Sequence, residues 1–130
     1  MKTFKRFSAL LVVTLFFLPM QAQNTEAIAQ KIATAFNTQN IELLSQQFSN
    51  DVELTLPGGN SYTNKNNVRN MLTQFIRQKQ INGYEELHQG EKANRMFVIG
   101  SLKAPSGNYR ISLFLKIEGN NFVINQIRIE

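Results

Sequence analysis

Four strand-like runs separated by short turns fill the chain from Tyr84 to Ile129, and this pattern constrains the fold more than any other feature. The runs are 84–91, 95–103, 109–118 and 122–129. Pro105-Ser106-Gly107-Asn108 and Gly119-Asn120-Asn121 separate the last three, with the residue types that supply hairpin backbone angles. Connections this short predict antiparallel neighbours. An earlier run alternates Val52, Leu54 and Leu56 with Asp51, Glu53 and Thr55, until Pro57-Gly58-Gly59 forces a turn.

Helical spacing precedes and interrupts these strands. Ile28, Ile32, Ala35 and Phe36 fall at i, i+4, i+7 and i+8, which predicts a helix over about 25–37 capped by Asn24 or Thr25. Ile41, Leu44 and Phe48 predict a short second helix. A third carries Val68, Met71, Leu72, Phe75 and Ile76 on one narrow stripe, with Thr63 as its expected cap and Gly83 beyond its end. The expectation is an α+β domain: three N-terminal helices packed on one face of a curved antiparallel sheet.

The first 22 residues read differently. Lys2, Lys5 and Arg6 form a positive start, residues 7–18 are almost continuously apolar, Pro19 ends any helix, and Ala22 offers a cleavage point. That order predicts a signal peptide over 1–22 and a single domain over 23–130, periplasmic or secreted. An apolar run of about 12 residues is too short to span a bilayer of roughly 30 Å. Three of the 14 basic residues lie in this leader, so the domain itself is close to charge balance against its 9 acids. With scattered charges and no tryptophan, it carries no nucleic-acid footprint. The absence of cysteine excludes disulfides, thiol chemistry and cysteine metal sites.

The segment AFNTQNIELLSQQFSNDVELTLPGG resembles the opening of the nuclear transport factor 2-like (ketosteroid isomerase-like, cystatin-like) superfamily. LHQG at 87–90, VIGSL at 98–102, GNYRISLFLK at 107–116 and NQIRIE at 125–130 resemble an exported family called domain of unknown function 4783. The resemblance implies the cone-shaped form of the fold. It leaves activity open, because the superfamily includes isomerases, dehydratases, transport factors and binding modules.

His88 is the only histidine, so a histidine metal cluster is excluded, and no cofactor or metal is expected. As a base it would need an orienting partner, and Glu86 is expected on its strand face; the plain alternative is an edge-strand histidine. The superfamily's isomerases use a carboxylate in an apolar cavity with a tyrosine holding the oxyanion. Asp51, Glu53, Tyr62 and Tyr109 are the residues to test for this, although Asp51 reads as a turn residue and Glu53 as solvent-facing. In the last strand, strict alternation puts Asn125 on one face with Val123, Ile127 and Ile129. A buried amide there must find partners or mark a pocket. Tyr62, His88, Tyr109 and Asn125 are therefore the expected ligand-binding residues, for a small apolar ligand.

The 95–103 run is apolar on both faces, and helices can cover only one. Met96, Val98, Phe114 and Ile124 are expected on the outer face, as an apolar centre within a rim of Arg110, Lys116, Gln126 and Arg128. Such a patch predicts a partner, most simply a second copy in a homodimer. Two functions follow: a non-catalytic exported domain binding a small apolar molecule or a protein, or a cofactor-free isomerase or dehydratase using the helix–sheet cavity.

Overall fold

The structure is a computed structural model that describes residues 21–130; the expected leader lies outside the described residues except for Gln21 and Ala22. The elements run α1 (Gln21–Asn37), α2 (Ile41–Ser45), β1 (Phe48–Thr55), β2 (Ser61–Thr63), α3 (Lys65–Gln78), β3 (Gly83–Lys92), β4 (Arg95–Lys103), β5 (Tyr109–Glu118) and β6 (Asn121–Ile129). Two helices precede the sheet rather than three, because α3 is inserted between β2 and β3.

The six strands form one curved, unclosed sheet in the order β2-β1-β6-β5-β4-β3. It is mixed rather than wholly antiparallel. β1 and β6, the second and third strands in that order, run parallel, while all other neighbours are antiparallel. A parallel pair requires a long crossover, and here the whole of β2 to β5 provides it.

Local chemistry corrects several predicted boundaries. α1 begins at Gln21, so Asn24 and Thr25 lie within it rather than capping it. Asn40 caps α2 by accepting the Leu43 N–H, and Phe48 already belongs to β1. Asn64, not Thr63, caps α3, with its side-chain oxygen 3.0 Å from the Asn67 nitrogen. Thr63 is instead the last residue of β2, a polar three-residue strand paired with Glu53–Thr55 of β1.

The helices pack on one face of the sheet. α1 meets β3 and β6, and α3 meets β1 and β2. Ile32, Phe36, Leu44, Leu54, Leu72, Leu102, Ile111, Leu113 and Ile127 are all fully buried in one continuous core. Phe75 is buried in the same core and meets Tyr109 edge to face, with ring centres 5.2 Å apart.

Candidate functional site

Two bulges decide which side chains face the helices. Along β5 and β6, Phe114 pairs with Gln126 but Leu115 pairs with Ile124, leaving Asn125 as the extra residue. One inserted residue switches the alternation, because side chains in a strand repeat every two positions. Phe122 and Ile124 before the bulge and Ile127 and Ile129 after it all point into the core. Strict alternation would have sent the first pair outward. In β3, Glu86 pairs with Gly100 and His88 with Ile99, so Leu87 is the extra residue and is 58% exposed. Glu86 and His88 therefore do not share a face, and the expected orienting pair is absent.

The expected interface needs the same correction. Met96, Val98 and Ile124 are buried in the core, facing the helices. Phe114 alone of the four faces outward, 39% exposed. In β4 both faces are apolar, so the pattern could not choose between them; in β6 the bulge reversed it. The outer face of β4 carries Phe97 and Ile99, both half-buried.

The four expected ligand-binding residues lie on four different strands. Tyr62 on β2 and Tyr109 on β5 are half-buried against the core. His88 on β3 is exposed, its ring tilted against Phe97 at 5.4 Å. Asn125 is half-buried, and its Oδ1 is one of two buried side-chain polar atoms without a hydrogen-bond partner among the described residues. No hydrogen bond or ring contact joins any two of these four. Three surface depressions, of about 430, 330 and 160 Å³, are lined by other residues. The largest lies at the β1–β2 turn, between Glu53, Pro57, Gly58, Arg128 and Glu130.

The second unpartnered atom is the hydroxyl of Tyr84, a residue the sequence pattern did not single out. Tyr84 is the second residue of β3, is 7% exposed, and stacks on Phe36 of α1 at 5.4 Å. Its backbone N–H donates to Asn37 Oδ1 at 2.8 Å, which ties the end of α1 to the sheet edge. The ring lies over Gly100, where any Cβ would fall against it. Burial, and secondarily the nearby Glu86 carboxylate, pushes its phenol well above the ordinary range.

Gly90 seats a second ring on the opposite face. A Cβ there would stand 2.5 Å from the Phe97 ring. Phe97 thus lies across β3 and beside Phe114, its direct partner on β5. Around this pair the outer face is cationic. Arg95 and Lys116 form the adjacent cross-strand pair on one side, and Ser112 pairs with Arg128 on the other, with Arg110 beyond. Lys116 is matched by Asp51 at 3.5 Å and Glu118 at 3.9 Å, and Lys103 by Glu85 at 3.1 Å. Arg95, Arg110 and Arg128 form no ion pair among the described residues.

Asp51, read from the sequence as a turn residue, lies within β1 instead, where local partners hold its carboxylate. The Ser49 hydroxyl donates to its Oδ1 at 2.7 Å, and with Lys116 this holds the carboxyl below its usual range. Among the described residues no three His, Asp or Glu side chains gather to hold a metal. No helix there is long and apolar enough to cross a membrane.

The family model described as "Domain of unknown function (DUF4783)" matches residues 29–130. A DUF4783 family protein from Bacteroides ovatus is 32% identical, with 76% of this chain and 90% of that one covered and a TM-score of 0.71. An uncharacterized protein of cystatin-like fold from Caulobacter vibrioides shares 15% identity over 85% of this chain and 89% of its own, with a TM-score of 0.65. An NTF-2 like protein of unknown function from Burkholderia xenovorans shares 9% identity over 86% and 85%, with a TM-score of 0.69. Comparison with curated proteins finds no match. By the family match over nearly all its described length, and with the nuclear transport factor 2-like architecture of its neighbours, the chain belongs to the DUF4783 family.

Proposed function

We propose that this domain is an exported, non-catalytic binding module that engages a protein partner through the outer face of its sheet. The observation that carries this reading is the Phe97–Phe114 pair, seated on Gly90 and left uncovered by any helix. The inner face points the other way. Its side chains form one continuous core between helices and sheet, and each of the three depressions reaches it at a single buried residue, Ile129, Met96 or Ile28. A filled interior disfavours a large ligand there, whereas small-molecule sites are concave. The lone His88 lies outside the core, and Asp51 is exposed on β1 and held by Ser49 and Lys116, so neither has the setting of a catalytic base.

A second reading rests on Tyr84. An unpartnered phenol inside an apolar wall is what a small apolar ligand with one acceptor, or a cofactor-free isomerase or dehydratase, would use. It requires the core to open around Tyr84, Phe36 and Gly100.

Site-specific photocrosslinking in producing cells separates the two. A photoreactive phenylalanine at position 114 is expected to give a discrete protein adduct, and the same group at Lys31 on α1 is not. Adducts at both positions alike, or at neither, overturn the outer-face reading. N-terminal sequencing of fractionated protein is expected to begin at Gln23; an intact Met1 overturns the export.

A further inference from the structure

Resting on the outer-face reading, the geometry points to a partner of particular chemistry: an extended acidic polypeptide segment with an apolar side chain between two carboxylates. The face consists of parallel rows of side chains set by cross-strand pairing. The central row is Phe97–Phe114–Gln126. Arg95–Lys116 is the row on one side, and Ile99–Ser112–Arg128 the row on the other, followed by Ser101–Arg110. Successive rows are two residues apart along the strands, about 7 Å, and so match the side-chain spacing of any extended chain laid along them.

Charge selects the occupant. Lys116 and Lys103 already have carboxylate partners, but Arg95, Arg110 and Arg128 have none among the described residues, and all three are exposed. Against these three the same face presents two acids without an ion pair among the described residues, Glu53, half-buried on β1, and Glu130, backbone-paired with Arg110. The surplus is cationic. A second copy docking about a two-fold axis would bring this cationic surplus against its own image, and like charges across an interface oppose binding. A segment with Asp or Glu two positions before and after a Phe, Leu or Tyr answers the central row and the two that flank it. Its apolar side chain lands on Phe97 and Phe114, and its carboxylates reach Arg95 on one side and Arg128 on the other. Arginine forks pair with carboxylates through two parallel hydrogen bonds, which suits them to this capture.

Peptide display tests the chemistry without knowledge of the natural partner. A random 12-residue library is selected on the purified full chain at low salt, with counter-selection on Phe114→Glu. The expected winners carry an acid two positions either side of an apolar residue. A synthetic winner is expected to bind roughly tenfold more weakly to Arg95→Ser/Arg128→Ser, and to weaken as salt rises. Circular dichroism checks that the variants, all at exposed positions, stay folded. Winners without acids, or binding indifferent to both salt and the arginines, overturn the inference. Crosslinking at position 114 would then stand on its own, so the two failures are distinct. Light scattering that finds a dimer lost on Phe114→Glu would also overturn it, in favour of a second copy.

Discussion

Replacing Tyr84 by phenylalanine is expected to stabilise the protein, which is the reverse of what deleting a hydrogen-bonding group at a buried site normally does. The ring is almost wholly buried, stacked on Phe36 and pressed over Gly100, and phenylalanine keeps all of that contact. Only the hydroxyl goes, and it has no partner. A buried polar group left unpaired costs about 1–3 kcal/mol, whereas losing a satisfied hydrogen bond costs about 1 kcal/mol. Tyr84→Phe should therefore gain about 1 kcal/mol or more, raising the melting temperature by about 4–8 °C per kcal/mol in a domain of this size. Alkaline pH gives a second readout. The native phenol titrates above the ordinary value of 10.0, so beyond pH 10 the unfolded chain loses this proton while the native state keeps it. Stability then falls as pH rises, by up to about 1.4 kcal/mol per pH unit from this group. The substitution should flatten that limb. Thermal unfolding followed by circular dichroism at pH 7 and across pH 9–11 measures both. A loss of stability at pH 7, with the alkaline limb unchanged, would refute the reasoning and show the hydroxyl to be satisfied in solution.

Further outcomes follow from the same contacts. Gly100→Ala puts a methyl group against the Tyr84 ring and should cost about 1–3 kcal/mol, measured by urea unfolding. Adding Tyr84→Ala should cancel most of that clash, so a fully additive double variant argues against it. Phe75→Ala removes a buried ring and its edge contact with Tyr109, an expected loss of about 3–5 kcal/mol; an unchanged denaturation midpoint would place Phe75 at the surface. Ala93, in the two-residue turn joining β3 to β4, holds φ +56, a left-handed angle costly to alanine. Ala93→Gly should stabilise by about 1 kcal/mol in the same assay, and a loss would indicate that the turn is not strained.

The sequence legibility of this fold ended where periodicity ended. The stripe of α3 and the inward Ile111, Leu113 and Leu115 of β5 follow directly from spacing. The bulges at Leu87 and Asn125 did not, since an inserted residue leaves no mark in composition yet reverses every side chain beyond it. That is why alternation sends Ile124 outward although it is core, whereas Met96 and Val98 are ambiguous because both faces of β4 are apolar. β2 is too short and too polar to signal itself. Tyr84 carries no signal of its own in the sequence, because its role depends on Gly100 of the next strand. Two glycines, each opposite an aromatic ring, were the available clue.

The parallel pairing of β1 with β6 has a consequence for how this chain can be made. β1 lies one strand in from the sheet edge, and one of its two neighbours is the last strand described. Until β6 is in place, β1, β2 and α3 form one unit and β3, β4 and β5 another, with no strand joining them. Contacts so distant in sequence slow folding, because the intervening loop must close before they are gained. A chain cut within 121–129, or still emerging from the ribosome at that point, would therefore hold two unjoined sheets with open edges, and the domain would assemble only after its final strand was complete.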